Sequence, residues 1–374
     1  MRRTAGARLF LAAAVLTVSA CTGGGSKPAD SGAAAPGPPL TGKDSIVVAW
    51  CDRFAAQSAT APDTKVHVVT LAAHSAADGT RTAERSAALP DGAVVEPLCG
   101  QPRRTTAAAD RQLFDPGFGL IAGTVPGPNG SAPVATAFTL PGGRAAVAAP
   151  AEGRGPAFQA GTSVLWYEGA DHRVVSRDLA AGAGPQDHGV APGPDFALVD
   201  GRPWLTRPVD TKADQVAAAP GGEVAAGSGL WHRTDPAASY DPQYVEPASL
   251  GPSGNGRSTL PGSERLPGCA PRLWTDQRTL LCVDNEQLLL LTFAPDHGRL
   301  EGFVPLLPAA PRFVESAVLS PDGRSLAYLD AYGGTTTLYR LDLTPGAQPV
   351  RLGPVATSTA DEQTAGSPHL VAWQ

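Results

Sequence analysis

The residues able to do chemistry are thinly spread along this chain. No serine stands in a G-x-S-x-G elbow, the turn that lifts a nucleophile out of a strand in serine hydrolases. Gly117-Phe118-Gly119-Leu120-Ile121-Ala122 fits a G-x-G-x-x-A spacing, but it follows Asp-Pro and opens no helix. It reads as a glycine-rich approach to a strand and not as a dinucleotide site. The seven histidines, His67, His74, His172, His188, His232, His297 and His369, form neither H-x-H nor H-E-x-x-H pairs, so metal-ligand spacing is missing. His67 and His369 lie in strand-like runs and read as packed, while the others fall near turns. Asp284 and Glu286 flank a strand turn and read as solvated carboxylates. The densest set of recognition-type side chains is WHRTDPAASYDPQYVEP, Trp231 to Pro247. Within it Trp231, His232, Asp235, Tyr240 and Tyr244 make a candidate binding loop, since loops on a rigid scaffold often carry recognition. These patterns predict no catalytic residue, no metal and no cofactor.

The five cysteines divide by position. Cys21 ends a segment with a basic start (Arg2, Arg3, Arg8), an apolar run LFLAAAVLTV and a small-residue close. This is the three-zone plan of a secretory signal, and its apolar run is shorter than the roughly 20 residues that span a bilayer. Val18-Ser19-Ala20-Cys21 resembles the lipobox of bacterial lipoproteins, which implies that Cys21 is acylated on sulfur and becomes the mature N-terminus. Apolar residues are missing just after the Arg pair, so Sec export is expected in place of twin-arginine export. Residues 1–20 are then the signal and residues 21–43 the lipid anchor and a Gly/Ala/Pro tether too poor in bulky apolar residues to fold. Residues 44–374 remain as the folded domain. The other four cysteines, Cys51, Cys99, Cys269 and Cys282, read as two disulfides, with Cys51 to Cys99 and Cys269 to Cys282 favoured by locality among the three possible connectivities.

Charge narrows the partners. The net charge of −6 becomes about −9 once Arg2, Arg3 and Arg8 leave with the signal. With no Lys/Arg cluster, nucleic acid is not an expected partner. Four lysines against 25 arginines, with abundant Ala, Gly and Pro, look like a high-GC bacterial genome of the actinobacterial type. The most apolar run of the folded part, QLLLLTF from Gln287 to Phe293, has the length of a buried strand.

The elements that must position any site are short strands. The 43 glycines and 37 prolines fall in punctuations such as Asp78-Gly79, Asp91-Gly92, Gly142-Gly143, Asp200-Gly201, Asp322-Gly323 and Gly333-Gly334. Between apolar runs these favour tight hairpins. Leu273 to Leu307 reads as four strands and Ala317 to Leu343 as three, with weaker copies at 44–71, 119–140, 162–179 and 195–207. A four-stranded unit recurring every 45 to 60 residues over the 331 residues from Asp44 predicts an all-β, six- or seven-bladed β-propeller. Ser367 to Gln374 repeats the Val-Ala-Trp of Val48-Ala49-Trp50 and would close the ring beside Ile46 to Trp50.

Ser320-Pro321-Asp322-Gly323-Arg324-Ser325-Leu326-Ala327-Tyr328-Leu329-Asp330, followed by the strand of Thr336 to Leu343, resembles the repeat of TolB-like and related WD-repeat-like propellers. The resemblance covers Cys269 to Leu343. It implies that the SPDG turn joins the two inner strands of a blade and that a small residue beside an aromatic packs between blades. With the lipobox, it implies a monomeric lipoprotein on the extracytoplasmic face of the cell membrane, held by its lipid. Its propeller would be a non-enzymatic module binding an envelope protein or polymer. The alternative is a hydrolase or lyase acting on a cell-wall or extracellular polymer from a site in the propeller channel.

Overall fold

In the computed structural model the described residues are 40–55, 65–96, 98–99, 110–143, 151–190, 197–199, 202–204, 217–220, 224–226, 229–232, 248–250, 259–266, 270–284, 287–307, 310–344, 346–355, 363–364 and 367–374. All of them belong to the unit Pro36–Gln374. Cys21, the anchor position, lies outside them, as do the signal and the tether up to residue 39.

The described chain is all-β, and its strands pair antiparallel in seven sheets that follow one another in sequence order. Sheet I begins with β1 (Ser45–Ala55), β2 (Lys65–Ser75) and β3 (Arg81–Ala88). Sheet II holds β4 (Leu120–Val125), β5 (Val134–Thr139) and β6 (Ala151–Glu152), and the bridge between Phe114 and Ile121 adds an inner partner to β4. Sheet III contains β7 (Arg154–Phe158), β8 (Val164–Glu168), β9 (Arg173–Asp178) and β10 (Gln186–Val190). The hairpin β11 (Ala197–Val199) and β12 (Arg202–Trp204) forms sheet IV. Sheet V has β13 (Ala217–Ala218), β14 (Val224–Ala226), β15 (Gly229–His232) and β16 (Ala248–Ser249). Sheet VI has β17 (Ala270–Trp274), β18 (Thr279–Asp284), β19 (Gln287–Phe293) and β20 (Leu300–Pro305). Sheet VII has β21 (Val314–Leu319), β22 (Ser325–Asp330), β23 (Thr337–Asp342) and β24 (Val350–Pro354). The chain then returns to sheet I, where β25 (Gln363–Thr364) and β26 (His369–Trp373) both pair with β1.

Sheets III, V, VI and VII are therefore four blades of propeller type, each a meander of four consecutive strands. The register Ile46↔Trp373 and Ala49↔His369, with the reciprocal backbone bonds between Ser45 and Gln374 at 2.9 Å, joins the last strand to the first. Of the expectation for Ser367 to Gln374, the described residues carry the pairing of 369–373 with 46–49. Asp110–Leu113 forms one 3-10 turn ahead of the Phe114 bridge.

Side-chain alternation builds the core between sheets. Successive residues of a strand point to opposite faces, and in β1 the two faces serve two different neighbours. Val47, Ala49 and Cys51 pack with Phe114, Ile121 and Phe138 of sheet II. Ile46, Val48 and Trp50 pack with Ala327, Leu329 and Leu338 of sheet VII. Likewise Ala122 and Ala137 meet Phe158, Leu165 and Tyr167 of sheet III, and Leu280 and Leu291 share a cluster with Leu230 of sheet V. Leu281 and Leu288 turn the other way, to Leu326, Tyr328 and Leu341. The Ala327-Tyr328 pair thus sends its small member to sheet I and its aromatic to sheet VI. Inner strands also abut in series, β13 on β17, β17 on β21 and β21 on β26.

The disulfide Cys51–Cys99 spans a Cα separation of 5.0 Å inside the core shared by sheets I and II. Cys282 on β18 is also disulfide-bonded, while Cys269 lies outside the described residues. The SPDG turn joins β21 to β22, the two inner strands of sheet VII. There Asp322 Oδ1 accepts from Ser320 Oγ at 2.6 Å and from the Arg324 amide at 3.0 Å.

Candidate functional site

Of the five residues of the candidate loop, Trp231 and His232 belong to a strand: they end β15, in register with Ala225 and Val224. Asp235, Tyr240 and Tyr244 lie outside the described residues, as do Glu286 and the rest of that loop. Gly117 to Gly119 lead into β4, the strand approach the sequence suggested.

Three histidines tie structure together. His67 Nδ1 bonds the Ala93 carbonyl at 2.8 Å, and His74 Nδ1 bonds that of Gly79 at 3.1 Å. His297 Nε2 bonds the Gln277 carbonyl at 2.7 Å and meets Trp274 edge-on at 5.6 Å, which fixes one turn of sheet VI to the next. Burial holds the His74 pKa below its ordinary value, against the opposing pull of the Gly79 carbonyl.

Sheet III brings together groups that the sequence leaves scattered. Trp166 on β8 stacks on His188 of β10 at 4.5 Å, and its Nε1 donates to Gln159 Oε1 at 3.1 Å. His188 Nε2 lies 2.8 Å from Ser176 Oγ on β9. A serine against an imidazole is the contact a hydrolase uses to activate a nucleophile. Here Ser176 is only 5 % exposed and a tryptophan covers the ring, so the contact works as packing. Burial depresses the His188 pKa and the neighbouring Asp187 opposes it. On the same sheet Glu168, 3 % exposed, bonds Nδ1 of the solvent-facing His172 at 2.5 Å through Oε1. Its Oε2 is buried with no partner. Asp171 and His172 both hold positive φ, 55° and 59°, a conformation that costs energy outside glycine.

The connection between β22 and β23 lies at the same rim of sheet VII as the start of β21. Phe313 and Tyr332 are 57 % and 60 % exposed there, the two exposed aromatics among the described residues. One carboxylate braces both: Asp330 Oδ1 accepts from the Phe313 amide at 2.9 Å and from the Tyr332 amide at 3.1 Å. The Ala331 amide donates to the Phe313 carbonyl at 2.9 Å. The sequence reading placed Tyr332-Gly333-Gly334 only as a turn. An aromatic directly before a Gly-Gly pair was the available signal, because such a turn leaves no neighbour to cover the ring.

An open hollow of about 540 Å³ lies at the opposite rim, against the β19–β20 turn, lined by Pro261, Pro295, Asp296, Arg299 and Glu301. Glu301 there accepts from Arg299 at 3.5 Å and from Arg278, outside the hollow, at 2.7 Å, while Asp296 Oδ1 accepts from the Gly298 amide at 3.0 Å. Among the described residues no three His, Cys, Asp or Glu side chains gather as metal ligands, and no helix is long and apolar enough to cross a membrane.

No protein-family profile matches the chain and no curated protein matches it. Among solved structures, the β-propeller domain of the Trilobed protease from Pyrococcus furiosus, described as having an open velcro topology, is similar over 87 % of this chain and 95 % of its own, at 11 % identity and a TM-score of 0.39. A functionally unknown protein from Desulfotomaculum acetoxidans is similar over 89 % and 91 %, at 10 % identity and a TM-score of 0.35. Hydrazine synthase of Kuenenia stuttgartiensis is similar over 70 % and 68 %, at 12 % identity and a TM-score of 0.33. At such scores the similarity carries nothing further, and the propeller arrangement rests on the sheet order and on the cores between sheets.

Proposed function

We propose that this chain is an exported lipoprotein, anchored through acylated Cys21 to the extracytoplasmic face of the cell membrane. In this reading its TolB-like propeller has seven blades, closed by β26 on sheet I, and serves as a monomeric, non-enzymatic binding module for an envelope protein or polymer. Closure is supported by the pairing of β26 with β1 and by the apolar core common to sheets I and VII. A count of seven blades is supported by the seven sheets among the described residues, each taken as one blade. Export is supported by the buried Cys51–Cys99 bond, since structural disulfides persist in oxidising compartments, and by the Val18-Ser19-Ala20-Cys21 ending.

The observation that carries the binding role is the braced rim of sheet VII. Leaving two aromatic residues more than half exposed forgoes roughly 1–2 kcal/mol for each, relative to full burial, and a carboxylate fixes the backbone that carries them. The test of the anchor is fractionation of the wild type and Cys21→Ser. The wild type belongs in the membrane pellet and the variant in the soluble fraction; a variant that stays with the membrane overturns lipid anchoring.

A hydrolase or lyase acting on an envelope polymer is the second reading, favoured by His172. The carboxylate of the buried Glu168 bonds its Nδ1 and orients the solvent-facing ring, as a general base requires.

A further inference from the structure

We infer that the rim of sheet VII is a saccharide-binding platform, with Phe313 and Tyr332 as stacking faces and Asp330 as the acceptor for sugar hydroxyls. The inference rests on the binding-module reading and names the chemical class of its ligand. Three features of the rim lead to it.

The first is size. Two aromatic side chains can bury about 150–250 Å² each, well short of the roughly 800 Å² per partner that a specific protein interface needs. The area suits a few sugar rings of a polymer held at low affinity.

The second is rigidity. Both aromatic residues hang from one carboxylate oxygen, at 2.9 and 3.1 Å, and their backbones are cross-linked by the bond from the Ala331 amide to the Phe313 carbonyl. The backbone that carries the two rings is set before any ligand arrives, so binding loses little backbone entropy there.

The third is the combination of groups. A pyranose has one C–H face and an edge of hydroxyls. The ring faces, negative at their centres, receive polarised C–H groups. Asp330 is half-buried and its Oδ2 makes no hydrogen bond among the described residues. A carboxylate oxygen accepts hydroxyl donors in charge-assisted bonds. A purely apolar partner would leave that oxygen covered and unpaired, which is costly.

The experiment uses the full chain with its lipid site replaced, Cys21→Ser, purified in soluble form. Its binding to insoluble peptidoglycan is measured by sedimentation, and to soluble chitohexaose and mannan by calorimetry. Saturable binding to at least one of these is expected. Phe313→Ala and Tyr332→Ala should each weaken it about tenfold and the double variant should abolish it, with thermal unfolding unchanged because both rings are exposed. Asp330→Asn keeps an oxygen for the two amides and loses the charge, so it should bind about three- to tenfold more weakly while still folding. No binding to any of the three, or variants that bind as the wild type does, overturns the inference. A photo-crosslinking amino acid at Phe313, expressed in cells, separates the two readings. Capture of a protein there refutes the saccharide assignment and leaves the binding module standing, whereas no adduct together with no sugar binding removes both.

Discussion

Individual titratable residues predict how the fold responds to acid. Burial lowers the pKa of His74, which is 5 % exposed, and that of the partly covered His188, below the ordinary value of 6.5. The sign follows from proton linkage. Above pH 6.5 both the folded and unfolded chains carry these rings neutral, so they add no pH dependence. As the pH falls through 6.5 the unfolded chain takes up protons first, and stability drops until the folded-state values are reached. Asp78, Asp187 and Asp322 act in a separate window. Hydrogen bonds hold their carboxyls below 3.8, so their contribution is present above that value and is lost as the pH falls through the lowered ones. Urea midpoints at pH 7.5 and 5.0 should therefore differ, with the acid midpoint lower, and His74→Gln should shrink the gap. A gap unchanged by that substitution assigns the acid sensitivity to other groups. None of this was legible from residue type alone, because the sequence marks where a histidine stands and leaves open what covers it. The same limit applies to Phe313 and Tyr332: an aromatic is usually core, and only the fold reveals that these two are left outside.

At the scale of elements, hairpins were legible because their turns demand particular residues. Asp322-Gly323 and Asp78-Gly79 both close hairpins, and Gly323 and Gly79 hold φ of 68° and 76°. Their surroundings differ sharply. A Cβ on Gly323 would meet nothing within 4 Å, whereas one on Gly79 would sit 2.0 Å from the Leu352 carbonyl of β24. The turn after β2 is thus wedged against sheet VII, where Arg340 Nη1 also donates to the Ala76 carbonyl at 2.9 Å. Gly79→Ala should cost about 2–4 kcal/mol, backbone strain and overpacking together, and Gly323→Ala only about 1 kcal/mol. Chemical denaturation of the two variants checks this, and equal losses would mean that the contact with β24 yields freely. Strands lacking the alternating pattern escaped the sequence reading for physical reasons. The outermost β24 buries only Leu352 of its five residues, so no apolar rhythm announces it. The inner β7 carries Gly155 and Pro156 across a break in register, a place where a strand tolerates proline.

For the whole molecule the decisive element is the last one. β26 lies in sheet I but serves two cores: Leu370 joins the cluster between sheets I and VII, and Val371 the cluster between sheets I and II. The Leu370 amide also donates to the buried Ser316 hydroxyl of β21 at 2.9 Å, so one strand joins the first sheet to the inner strand of the last. A propeller whose ends are not joined exposes a sheet edge and lets its first and last blades part, while a joined one must open everywhere together. Deleting residues 367–374 removes the ladder to β1 and leaves the apolar faces of sheets I and VII without their shared cover. Several buried side chains and backbone bonds go at once, and at about 2–4 °C per kcal/mol the melting temperature should fall by roughly 10 °C or more. The transition should also broaden as sheets I and VII loosen ahead of the rest. Leu370→Ala, which keeps the backbone ladder and leaves a cavity, should cost about 2–5 kcal/mol without broadening the transition. Calorimetry separates the two outcomes. A deletion that shifts the melting temperature by a degree or two would mean that the cores between sheets hold the ends together without the strand.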